Sequence, residues 1–182
     1  MYLTGQICGL IGTVITLIQP QFRKKFHILI CTILVNGLNA LNFTFIGQLG
    51  ASVYLCLVAV VQALVMMWHN HKESAVTKWE NILFLLLYVG FGIYGMVSVP
   101  DFAWGLTWAN ALEILPIIGA LMLMLSVFAP TEQKTRLFLL FNGAAWLVYT
   151  AVIGATAFFT CVVAMVSAGI ALWKYRKTPS KS

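Results

Sequence analysis

The cations of this chain stand in four short clusters separated by long apolar runs, and this alternation constrains the fold more than any other feature. Arg23, Lys24 and Lys25 form the first cluster, Lys72 and Lys78 the second, Lys134 and Arg136 the third, and Lys174, Arg176, Lys177 and Lys181 the fourth. Together they account for all 11 Lys and Arg of the 182 residues. The runs between them are about 17 to 21 residues long, enough for a helix to cross a hydrocarbon layer of about 30 Å. In lipid the backbone must satisfy its own N–H and C=O groups, so each run is expected to be helical. The pattern predicts seven spans, over 3–19, 26–45, 51–68, 81–99, 108–128, 136–152 and 155–173.

The same alternation sets orientation. The N-terminus and residues 46–50, 100–107 and 153–154 hold no Lys or Arg, and their one charge is Asp101. Cations collect on the cytoplasmic side of a membrane. The expectation is an N-terminus outside and a cytoplasmic C-terminus, with Trp68, Trp79 and Trp173 at the inner interface and Trp104 and Trp108 at the outer one. A missed or invented span would put cations on both faces.

Composition agrees: 61% of residues are hydrophobic, 9% are charged and the mean hydropathy is +0.92, whereas a soluble domain is about a quarter charged. The net charge of +6 is explained by topology, so the expected partner is the lipid bilayer and not a nucleic acid. Cys8, Cys31, Cys56 and Cys161 lie inside apolar spans without CxxC or Cys/His spacing. They read as small buried hydrophobes, with neither a metal nor another cofactor implied. The first span has no charged leader and no Ala-x-Ala-like cleavage site, so it is expected to be retained. Nothing in the chain sets an oligomeric state.

A weak internal repeat is visible. Gly9 and Pro20 are eleven apart, as are Gly119 and Pro130, and each Pro is followed by a polar, cationic stretch and a new span. Asn36-Gly37 then parallels Asn142-Gly143, Ile46-Gly47 parallels Ile153-Gly154, and Trp68 parallels Trp173. The fourth span restores the direction of the second copy. Spans one to three and five to seven are therefore expected to be parallel copies related by an axis along the membrane normal. The implied units are a first three-helix bundle over 1–68, a loop and linker helix over 69–99, a second bundle over 100–174 and a basic tail over 175–182.

Ile18-Gln19-Pro20-Gln21 resembles the Pro-Gln loop of the MtN3/PQ-loop superfamily, which includes the SWEET sugar carriers. Leu112-Glu113-Ile114-Leu115-Pro116-Ile117-Ile118-Gly119 is similar to a segment of YgjV-type bacterial inner-membrane proteins, of comparable length and in the same superfamily. The resemblance implies an all-α membrane protein of two three-helix bundles joined by a linker helix, in a bacterial inner membrane. It carries no activity with it. The second loop reads Ala129-Pro130-Thr131, without the Gln, and spans three and seven hold no Asn where SWEET carriers have one.

Candidate site residues follow from polar side chains where lipid-facing sequence would have none. Thr32, Asn36, Asn39 and Phe43 fall within roughly 60° of one helix face at about 100° per residue, with Asn42 at its edge. Asn142, Trp146 and Tyr149 share the equivalent face of span six. They read either as a pocket for a small polar solute or as amides that tie helices together. Gln62 and Ser167 occupy matched positions in the two copies, and Gln62 is a further binding candidate. Glu113, the one acid inside a span, reads as a proton-coupling carboxylate or as a group reaching headgroups and water. Pro20, Gln21, Pro116 and Pro130 are candidate gate or hinge residues, although a Pro at a span end also simply stops it. His69, His71 and Glu73 read as a solvated loop. No Ser/His/Asp set, phosphate loop or paired carboxylate is present, so an enzyme is not expected. The function expected is carriage of a small polar solute by alternating access, the alternative being a receptor or accessory subunit on the same fold.

Overall fold

The computed structural model describes residues 2–45, 47, 50–98, 108–152 and 157–175. The expectations for Ile46, for Asp101 and Trp104, for Ile153-Gly154 and for the tail beyond Tyr175 lie outside the described residues, as does the side chain of Trp108. Among the described residues every regular element is a helix, with α1 over Tyr2–Ile18, α2 over Lys25–Phe45, α3 over Ala51–His71 and α4 over Lys78–Val97. After these come α5 over Trp108–Phe128, α6 over Glu132–Val152 and α7 over Ala157–Lys174. Six of the helices are long and apolar enough to cross a membrane, and the apolar stretch Phe158–Lys174 of α7 is shorter.

The helix starts show what the hydropathy pattern left out. The fourth helix begins at Lys78 and not at 81, because Thr77 forms a capping box with Glu80: its Oγ1 accepts from Glu80 N while Glu80 Oε2 accepts from Thr77 N at 2.7 Å. Two otherwise orphan N–H groups are satisfied this way. The sixth begins at Glu132 and not at 136, which puts Arg136 in its second turn, where it is nearly fully buried. Between α1 and α2 the chain makes a short 3-10 turn over Gln19–Gln21 around Pro20.

Each helix packs on its chain neighbour along α1, α2, α3 and α4, and again along α5, α6 and α7; α3 also packs on α5, α4 on α5, and α1 on α7. Six helices thus close a ring in the order α1, α2, α3, α5, α6, α7, and α4 lies against α3 and α5 from outside it. Exchanging α1, α2, α3 with α5, α6, α7 leaves the ring's pairings unchanged. The main apolar core sits where α3, α4 and α5 meet, around Leu55, Ala59, Phe84, Tyr88 and Met124. Small residues permit the close approaches that bind helices in lipid. A Cβ on Gly95 would run into Ala51 Cα, and one on Gly92 would lie 2.8 Å from Ile117. The outer surface is apolar, with Leu10, Val14, Leu57, Leu86 and Phe159 about half exposed or more.

Candidate functional site

The ring surrounds a cavity of ≈ 110 Å³. A water needs about 10–15 Å³ of such space, so there is room for several waters or one small solute. All six ring helices line it and α4 does not. Asn36, Asn39 and Phe43 reach it from α2, and Asn142, Trp146 and Thr150 from α6. The two polar stripes expected from the 3.6-residue spacing therefore meet across one hollow. None of the described residues lining it is charged.

The wall is partly fixed by the protein's own bonds. Asn36 Nδ2 donates to Thr32 O one turn back, at 2.8 Å. Phe43 stacks on Trp146 with centroids 6.1 Å apart. Gly119 lets the indole lie against α5, since a Cβ there would come within 2.7 Å of Trp146 Nε1. Asn142 differs. Its buried Oδ1 has no hydrogen-bond partner among the described residues, and an unmet buried acceptor costs roughly 1–3 kcal/mol.

The remaining predicted residues divide. Tyr149 stands behind the wall: it meets Trp146 edge to face at 5.8 Å and its hydroxyl donates to Glu113 Oε1 at 3.3 Å. Glu113 does not line the cavity; it meets Tyr149, which in turn meets Trp146 on the wall. Gln62, fully buried, lies away from the cavity, where its Nε2 donates to Met124 O of α5 and its Oε1 accepts from Tyr88 of α4. Its repeat partner Ser167 does the matching thing across the ring, donating to Leu17 O of α1. Pro116 is buried inside an unbroken α5, and Pro130 is exposed beside the start of α6.

Around Pro20 the two glutamines pull in different directions. Gln19 Nε2 donates to Thr32 Oγ1 of α2 at 2.7 Å, while Gln21 Nε2 donates to Ser167 Oγ of α7 at 3.1 Å. The second copy has Thr131 where Gln21 would stand, and its Oγ1 accepts from Lys134 N in the first turn of α6. The missing glutamine is thus replaced by a helix cap. Cations meet this end from both copies: Arg136 Nε donates to Pro20 O and its Nη2 to Phe22 O, each at 3.1 Å, and Lys25 Nζ donates to Ala129 O at 2.9 Å. On the same side His69 bonds Glu80 at 2.7 Å and Ser74 at 2.8 Å, which holds the loop between α3 and α4.

Sequence reasoning missed Thr16, Gln19, Cys56, Thr160 and Cys161, which also line the cavity. The two thiols carried a signal, being 105 residues apart like Trp68 and Trp173. They occupy matched places on α3 and α7, and Cys56 packs there as a small buried hydrophobe with Ala40 and Phe43.

An all-helical chain with several bilayer-length apolar helices and a polar hollow among them is a multi-pass membrane protein. The family described as bacterial inner membrane protein, of YgjV type, matches residues 3–179. The chain belongs to this family and resides in the bacterial inner membrane. No curated protein and no solved structure matches it.

Proposed function

We propose that the protein is a carrier, not an enzyme, moving a small uncharged polar solute across the inner membrane by alternating access. In this reading all seven helices span the bilayer, with the N-terminus outside. The first three and last three helices form two parallel bundles, of SWEET-like PQ-loop type, that rock about the cavity with α4 as linker. The observation that carries it is a hollow faced from α2 and α6 by matched amides, one of them Asn142, whose Oδ1 has no partner among the described residues. Amides both donate and accept, so a solute hydroxyl can be met from either side. Asn36 and Asn39 complete the polar wall, and Trp146 with Phe43 offers a flat apolar face to stack on. Uncharged cargo follows from the wall's chemistry, because an ion there would lose its hydration without a counter-charge. Glu113 is the coupling carboxylate, acting on the wall through Tyr149 and Trp146.

The test is flux of small polyols, amides and ions into proteoliposomes. At least one uncharged solute should cross and ions should not. Asn142→Leu should lower that flux about tenfold or more, the consequence of losing one hydrogen bond of roughly 1.5 kcal/mol to the solute, with stability unchanged or slightly raised. Glu113→Gln should remove any dependence on a proton gradient. Absence of flux for every solute, from folded protein, would overturn the carrier and favour a receptor or accessory subunit.

A further inference from the structure

The cationic end of the ring holds an arrangement that the sequence clusters did not foreshadow. Lys25 stands five residues after Pro20 and opens α2, and Arg136 stands six after Pro130 in the second turn of α6, the matching helix. Each reaches across to the other copy's proline turn. Arg136 takes the carbonyls of Pro20 and Phe22, and Lys25 takes that of Ala129, next to Pro130. Pro20 itself lines the cavity. Tyr175, at the end of α7, lies over Arg136 at 4.6 Å and donates its hydroxyl to Gln21 O at 3.3 Å. Among the described residues neither cation forms an ion pair within 4 Å, although Glu132 in the first turn of α6 is near enough for its charge to act on both.

We propose that Arg136 and Lys25 are a reciprocal latch that closes the cavity at the proline-turn end, each copy's cation holding the other copy's turn. The inference rests on the carrier reading for its purpose, but not for its geometry. Cation-to-carbonyl bonds are charge-assisted and directional, yet water can replace the carbonyl without leaving an opposite charge buried. A carboxylate in the same place would bind more strongly and, once shielded, would resist opening. Reciprocity makes the two bonds release together: separation of the copies at this end stretches both at once, whereas motion within either copy stretches neither. Arg136 is the stronger arm, since it bridges two carbonyls and is 3% exposed.

Cys161, on the cavity wall, reports access directly. The full chain lacking Cys8 and Cys31 (Cys8→Ser, Cys31→Ser) would be reconstituted in vesicles of known orientation. A small membrane-impermeant methanethiosulfonate would then be applied from one face at a time, with no solute present. Arg136→Gln and, independently, Lys25→Gln should speed labelling from the cationic face about tenfold, the scale set by losing one charge-assisted bond. Labelling from the opposite face should not rise. Arg136→Lys, which keeps the charge and loses the two-carbonyl fork, should fall between. Should Arg136→Gln fail to fold, Lys25→Gln decides alone. Unchanged labelling from the cationic face, or an equal rise from both faces, would overturn the latch. Faster one-sided labelling without flux of any solute would uphold the latch and count against the carrier.

Discussion

At Gln62 a single amide joins three helices, and its position shows what one residue can decide in an apolar interior. It accepts from Tyr88 at 2.8 Å and donates to Met124 O at 3.3 Å. Gln62→Leu should destabilise the protein by about 1–3 kcal/mol, because the buried Tyr88 hydroxyl loses its acceptor. Adding Tyr88→Phe should restore part of the loss by removing the orphan. Thermal unfolding in detergent checks both, and a Gln62→Leu variant as stable as the parent would mean that the amide ties nothing together. At Tyr175, outside the spans, the Arg23 guanidinium beside the phenol holds its pKa below the ordinary tyrosine value, with Lys174 adding to the effect against partial burial. A lowered folded-state pKa means that the fold favours the phenolate. The contribution is therefore complete only above the unfolded value of about 10 and is lost as the pH drops through the folded value. Tyrosinate absorbance should show one phenol titrating early, lost in Tyr175→Phe and shifted up in Arg23→Gln. The residues readable in advance were Asn36, Asn39, Asn142 and Trp146, because helical spacing alone puts them on two faces. Gln62 and Tyr149 were not readable: spacing gives a residue's face but not the neighbour covering it.

At the scale of elements, hydropathy located the helices, and local hydrogen bonding decided their ends. The early start of α4 follows from Thr77 and Glu80, three apart, a signal present in the sequence but overshadowed by the apolar run after it. The early start of α6 follows from the polar turn Glu132 to Arg136, which reads as a loop until the proline turn of the other copy is there to accept the guanidinium. The packing of α4 depends on glycine. An ordinary helical Gly→Ala change gains roughly 0.5–1 kcal/mol, but at Gly95 the new Cβ would run into the backbone Cα and N of Ala51. Backbone cannot yield as a flexible side chain does, so α3 and α4 must separate, and Gly95→Ala should cost about 1–3 kcal/mol. A Cβ on Gly90, on the same helix, would meet nothing within 4 Å, so Gly90→Ala should be neutral or mildly stabilising. Opposite signs for the two in one thermal unfolding series are the expected result; equal effects would show that α4 is not held close to α3.

For the molecule as a whole, the decisive contact is that between α1 and α7, which closes the ring. Thr13 and Thr160 share a hydrogen bond of 2.5 Å across it. Paired substitution Thr13→Cys with Thr160→Cys, in a background lacking the four native thiols, should give a disulfide on mild oxidation, seen as a faster-migrating band that reductant reverses. If the copies rock apart along this seam, the oxidised form should also lose solute flux and regain it on reduction; full flux with the bond formed would place the motion elsewhere. The sequence by itself determined that the chain is a helical membrane protein, roughly where its helices run and which stripes are polar. Each of these follows from local physics: the length of an apolar run, the 3.6-residue period and the absence of backbone partners in lipid. Only the tertiary structure decided that six helices close a ring around a hollow and that Gln62 ties helices at a distance from it. It likewise placed Cys56 and Cys161 on the cavity wall and turned Arg136 and Lys25 onto each other's proline turns. These are meetings of residues from 26 to 116 positions apart. Which side chain faces which is fixed by the rotation of each helix against its neighbours, and a periodic pattern does not contain that rotation.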